Sequence, residues 1–160
     1  MEITLTAFEQ KIAKHITDRR QRHAKSVNAK NLKVSDESDE SVTLDGTGAE
    51  IAFCRYFNVY PDFAVGEYAY ADAFTVQMGS VDIKTTRIPH GHLIAHYGKR
   101  GKRQPDSYAL MLGTFPTYRF AGYADSSELI CDESIKDFGY GPTFALSQDQ
   151  LRQIEQRTLF

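Results

Sequence analysis

The chain has 160 residues, 41% of them apolar, enough for one domain with a buried core. Its net charge of −2 excludes a polycation built to coat nucleic acid, and two cysteines outside any C-x-x-C spacing exclude a disulfide scaffold or a zinc knuckle. No apolar run approaches membrane length and no leader precedes the first helix, so a soluble, cytoplasmic protein with free thiols and no membrane partner is expected.

Leu5, Phe8, Ile12 and Ile16 recur at helical spacing and predict an amphipathic helix from residue 5 to about 30. Its second half, DRRQRHAK at 18–25, is too polar to pack all round. Between Met1 and Lys33 eight Lys or Arg stand against three acids, and SDESDE at 35–40 reverses the sign at once. The run VSDESDES reads as a solvated connector. In DGTGAEIAFCRYFN, 45–58, Thr47 is a candidate N-cap, and Ile51, Cys54 and Phe57 suit a short second helix closed before Pro61.

From Gly66 the pattern turns to strands, predicted at 67–77, 80–87, 92–97, 107–113 and 117–124 in one sheet. FALSQDQLRQIEQ, 144–156, predicts a strand end and a closing helix capped by Ser147. Helix, helix, strands, helix gives an α+β fold, an α/β/α sandwich-like arrangement with a central mixed sheet flanked by helices. Residues 1–160 read as one domain, with a basic N-terminal helix over 1–33 and a core over 46–152.

In VDIKTTR the alternation points Asp82, Lys84 and Thr86 to one face and Val81, Ile83 and Thr85 to the other. Two residues rise roughly 6.6 Å along a strand, so Asp82 and Lys84 can converge on one small object. Glu50 on the second helix and Asp72 on the preceding strand add two acids. A magnesium-type ion takes oxygen ligands, few of them carboxylates, with water and phosphate completing the shell. Carboxylates from adjacent strands, a backbone carbonyl and a lysine therefore suit metal-assisted phosphodiester hydrolysis.

Glu50 in GAEIAFCRYFN, Asp72 in YADAF and Asp82-Ile83-Lys84 in VDIKTTR resemble the PD-(D/E)XK, restriction-endonuclease-like nucleases. The segments GHLIAHYG, DSYALMLGTFPTYRFAGYADSSEL and TFALSQDQL are similar to downstream strands of small, phage-type members. The likeness spans roughly residues 46–152. It implies a four- or five-stranded mixed sheet with helices on both faces and a Mg²⁺- or Mn²⁺-dependent DNA endonuclease. It further implies metal held by Asp72, Asp82 and the Ile83 carbonyl, Glu50 acting through water, and Lys84 at the nucleophile or scissile phosphate. Ala71 precedes Asp72 where the motif has proline, and a literal Pro61-Asp62 lies upstream, so Asp62 rivals Asp72. Asp72 is preferred because its linker to Asp82 allows one tight hairpin.

His92 and His96 lie four apart on a strand, roughly 13 Å, too far to share a zinc ion. Candidate DNA-backbone contacts are Arg19, Arg20 and Arg22 on the first helix, Arg87 after the DIK strand, and Lys99, Arg100, Lys102 and Arg103 in the loop GKRGKRQ. Both clusters are expected on the side of the sheet that carries Asp82. The alternative function is a catalytically inactive DNA-binding or interaction module, with a homodimer left open.

Overall fold

The computed structural model describes residues 1–27, 38–66 and 71–154. Lys30, Lys33, the first half of the acidic connector and the start of the 67–77 strand lie outside the described residues.

The fold is α+β. A short strand, β1 (Glu2–Thr4), precedes the first helix and pairs antiparallel with β6 (Thr117–Asp125), an edge the sequence reading missed. Helix α1 spans Ala7–Ser26 and starts on a capping box, with the Glu9 N–H donating to Thr6 Oγ1 and the Thr6 N–H to Glu9 Oε2. Leu5 fills the core from the turn before it, Ile12 packs on the core and Ile16 is buried as expected, whereas Phe8 is exposed and Ala13 and Thr17 complete the buried stripe.

Helix α2 spans Asp39–Phe57, far longer than expected. Ser38 caps it by accepting from the Ser41 N–H, so part of the supposed connector is its first turn. Thr47 is no cap but a buried mid-helix residue. Gly48 lets α2 lie close on β6, since a Cβ there would stand 2.2 Å from the Tyr118 hydroxyl. The helix ends at Asn58 in the left-handed region, φ 53°.

The main sheet runs β1-β6-β5-β3-β2, with β2 at Ala73–Thr75, β3 at Gly79–Thr86 and β5 at Ser107–Thr114. Strands β3 and β5 are parallel and the other pairs antiparallel. Val81, Ile83, Ala109, Met111 and Phe120 meet α2 on one face. The expectation of one sheet fails at residues 92–97: β4 (Leu93–His96) joins β8 (Pro142–Leu146) and β7 (Ile135–Asp137) in a separate sheet. Leu93, Ala95, Phe144 and Leu146 cover Tyr108, Leu110 and Leu112 on the second face, assisted by the four-residue helix α3 (Ser126–Leu129). Long helices thus cover one face and a small sheet covers the other, which corrects the α/β/α arrangement. Alternation marks a half-buried strand but does not say which sheet receives it.

The closing helix is also replaced. Ser147 and Gln150 cap a single 3₁₀ turn, and Arg152 then bridges Tyr123 in extended form. Gly122 permits this approach, because a Cβ there would meet Leu151 Cβ at 2.7 Å. Docking of Leu151 on β6 overrides the local helix signal.

Candidate active site

Strand β3 alternates as its sequence predicts. Val81 and Ile83 enter the core under α2, and Asp82 and Lys84 take the other face. The Asp72 N–H donates to the Val81 carbonyl at 2.8 Å, and Ala73 is the register partner of the same Val81. Two residues against one re-aim a side chain, and Asp72 Oδ2 accepts the Ile83 N–H at 2.7 Å. The N–H and C=O of one strand residue leave on the same edge, so the Ile83 carbonyl faces the edge that carries Asp72.

Asp82 is held from two sides. Lys84 Nζ lies 2.6 Å from Oδ1, and Lys99 Nζ lies 3.4 Å from Oδ2. Glu50, on the middle of α2, is held by Arg20: Nη1 donates to its two oxygens at 2.9 and 3.1 Å and to Thr47 Oγ1 at 3.3 Å. Arg20 Nη2 donates to the Asp62 carbonyl at 3.2 Å. Three carboxylates, Glu50, Asp72 and Asp82, therefore meet three cations, Arg20, Lys84 and Lys99, drawn from separate elements.

Burial, then the negative charge of Asp72, pushes the Glu50 carboxyl up to about 8 against the opposing pull of Arg20. Burial, then Asp82, pushes Asp72 up to about 6, opposed by the Ile83 N–H and by Lys84. Behind them the Cys54 thiol is pushed up to about 12, by burial first and by Glu50, Asp72 and Asp62 after it. It is buried and free, as is the less buried Cys131.

Asp62 borders the group through its carbonyl, which accepts from Arg20, while its carboxylate Oδ1 accepts the Ala64 N–H at 2.8 Å in a local turn. The DNA-contact group divides. Arg20 turns inward to Glu50, and Arg87 is tied to Asp45 Oδ2 and to the Ser41 hydroxyl, so neither serves as an open phosphate contact. Arg22 pairs with Asp18 one turn earlier, and Arg100 pairs with Asp132 at 2.6 Å. Arg19, Lys102 and Arg103 are exposed. Arg20 and Lys99 bring the two basic segments to the acid group. No local spacing announces either contact, since both depend on tertiary packing. The histidines share no site: His92 packs on Phe138 and His96 Nδ1 accepts the Gly98 N–H.

All the donors are hard oxygens, which suit Mg²⁺ or Mn²⁺. Among the described residues, no three His, Cys, Asp or Glu side chains form a ready metal cage. A magnesium ion needs none, because one or two carboxylates with water and substrate phosphate suffice. Both Asp82 oxygens already face a cation, so the carboxylate is oriented for positive charge. No described helix is long and apolar enough to cross a membrane. Comparison with family models, curated proteins and solved structures finds no match to the chain.

Proposed function

We propose that the chain is a divalent-metal-dependent deoxyribonuclease of the PD-(D/E)XK kind, an endonuclease that hydrolyses phosphodiester bonds. One observation carries the reading: Asp72, the Ile83 backbone, Asp82 and Lys84 converge at one sheet edge, within electrostatic reach of Glu50 from α2. Asp72 and Asp82, with the Ile83 carbonyl, would hold Mg²⁺ or Mn²⁺. The ion, when bound, activates water and screens the phosphate charge. Glu50 orients the attacking water from its Arg20 clamp and, once a bound cation has ionised it, takes up the proton that water loses, a step its raised proton affinity favours. As water adds to phosphorus and one P–O ester bond breaks, the Lys84 ammonium offsets the negative charge that develops. The leaving oxygen takes a proton from solvent.

The test is incubation of the pure protein with supercoiled and linear DNA, with and without Mg²⁺ or Mn²⁺. Nicked or linear product that needs metal and disappears in Asp82→Asn is expected. DNA left intact by the wild type under every condition overturns the reading. A non-catalytic DNA-binding module is favoured by one feature, the pairing of both Asp82 oxygens with lysines. It predicts DNA binding with no Mn²⁺ binding.

A further inference from the structure

Lys99 has no part in the reaction as written, yet it differs from its neighbours in the basic loop. We propose that Lys99 belongs to the site: it holds Asp82 in the free protein, yields that carboxylate to the divalent ion, and passes to a phosphate of the bound strand. The inference rests on the nuclease reading above.

Tyr97–Lys99 form one 3₁₀ turn directly after β4. The turn is fastened to the strands under the site. Gln104 Nε2 donates to the Lys99 and Lys102 carbonyls, and Gln104 Oε1 accepts from the Tyr108 hydroxyl. Tyr108 is fully buried and is the register partner of Asp82 across the parallel β3/β5 pair. The residue opposite Asp82 thus anchors, through one amide, the loop that returns a lysine to Asp82. Arg100, next in the chain, is turned away to Asp132. The Lys99 side chain is 29% exposed, so it is neither a free surface cation nor sealed in the core.

Of the two ammonium groups on Asp82, Lys99 makes the longer contact, 3.4 Å against 2.6 Å for Lys84. An ion taking Oδ2 competes with Lys99 first. A bound divalent ion adds positive charge to a site that already holds Arg20, Lys84 and Lys99, and releases an ammonium beside the phosphate path. Ion binding and DNA binding then reinforce each other, and the coupling is reciprocal.

The experiment is Mn²⁺ titration of metal-free wild type, Lys99→Met and Lys99→Arg by calorimetry, followed by DNA binding across a salt series with and without Ca²⁺. Lys99→Met keeps the aliphatic stem, and a melting scan checks its fold. It is expected to bind Mn²⁺ roughly twofold to fivefold tighter, the worth of one partly exposed ion pair, while Lys99→Arg stays near wild type. With Ca²⁺ present, Lys99→Met should lower the slope of log affinity against log salt by about 0.9, one phosphate contact, and leave it unchanged without Ca²⁺. Wild type that binds Mn²⁺ no more weakly than Lys99→Met overturns the inference and leaves the nuclease reading standing. A slope change that is the same with and without Ca²⁺ makes Lys99 a simple backbone clamp and also overturns it. Failure of both proteins to bind Mn²⁺ overturns both readings.

Discussion

Two carboxylates of helix α2 five positions apart, Asp45 and Glu50, each hold an arginine, and the two pairs solve opposite problems. Asp45, 5% exposed, takes Arg87 at 2.5 Å, the Phe115 N–H at 2.9 Å and the Thr114 hydroxyl at 3.1 Å. These are all donors, and they tie α2 to the end of β3 and to the β5–β6 turn. Glu50 also has its arginine, but Asp72 and Asp82 crowd it with like charge. A buried acid surrounded by donors reads as a structural rivet. A half-buried acid whose desolvation and acidic neighbours both disfavour its charge instead draws a cation or a proton, a trait shared by groups at functional sites.

The largest effect separates the two regions by chemistry. Asp82→Asn and Lys84→Ala should each cut metal-dependent cleavage by at least roughly 100-fold with the fold intact, whereas folded Asp45→Asn should cleave at the wild-type rate. Plasmid nicking rates measure this, and near-wild-type activity in Lys84→Ala removes the contrast. Next, Asp45→Ala should cost about 3 kcal/mol, or a melting drop of roughly 6–12 °C, because it removes the carboxylate that Arg87 and the Phe115 N–H share. Melting curves at neutral pH decide it.

A smaller effect of opposite sign is expected at Glu50. Its folded proton affinity is raised, so the native state binds the proton more tightly than the unfolded chain does. That stability is complete below about 4.5 and is lost as pH rises through about 8. Metal-free wild type should therefore melt progressively lower across this window. Glu50→Gln should flatten the profile and melt higher by a few degrees near pH 8. A variant with the wild-type slope would show that Glu50 does not feel its acidic neighbours. The smallest effect is at Arg22, whose pair with Asp18 is exposed on both sides. Arg22→Ala should change stability by no more than about 0.5 kcal/mol, as denaturant titration will show.

Local pattern made the acid-lysine strand legible. Period-two alternation over Val81 to Thr86 put Asp82 and Lys84 together, and the short linker to Asp82 made Asp72 the preferred neighbour over its rival Asp62. Other parts were hidden because their cause is not local. Thr47 looks like a cap with Gly46 before the helix, yet both lie inside α2, which starts at Asp39 and passes close over Tyr118 at Gly48. Arg20 looks like one more charge on a polar face, and only the packing of α1 on α2 aims it at Glu50. Leu93 and Ala95 alternate as strand residues should, but their partner, β8, lies some fifty residues further along the chain.

That distant pairing bears on the order in which a growing chain acquires its parts. Parallel β3 and β5 need a crossover, and residues 87–106, with β4 inside, provide it. Among the described residues β4 pairs only with β8, so during synthesis it has no strand partner until Pro142–Leu146 have emerged. The turn that presents Lys99 follows β4 directly. Long-range closure of this kind is slow compared with helix formation. The acids at residues 50, 72 and 82 are therefore made well before the sheet that steadies the Lys99 loop, and a half-made chain carries the carboxylates without the finished cradle.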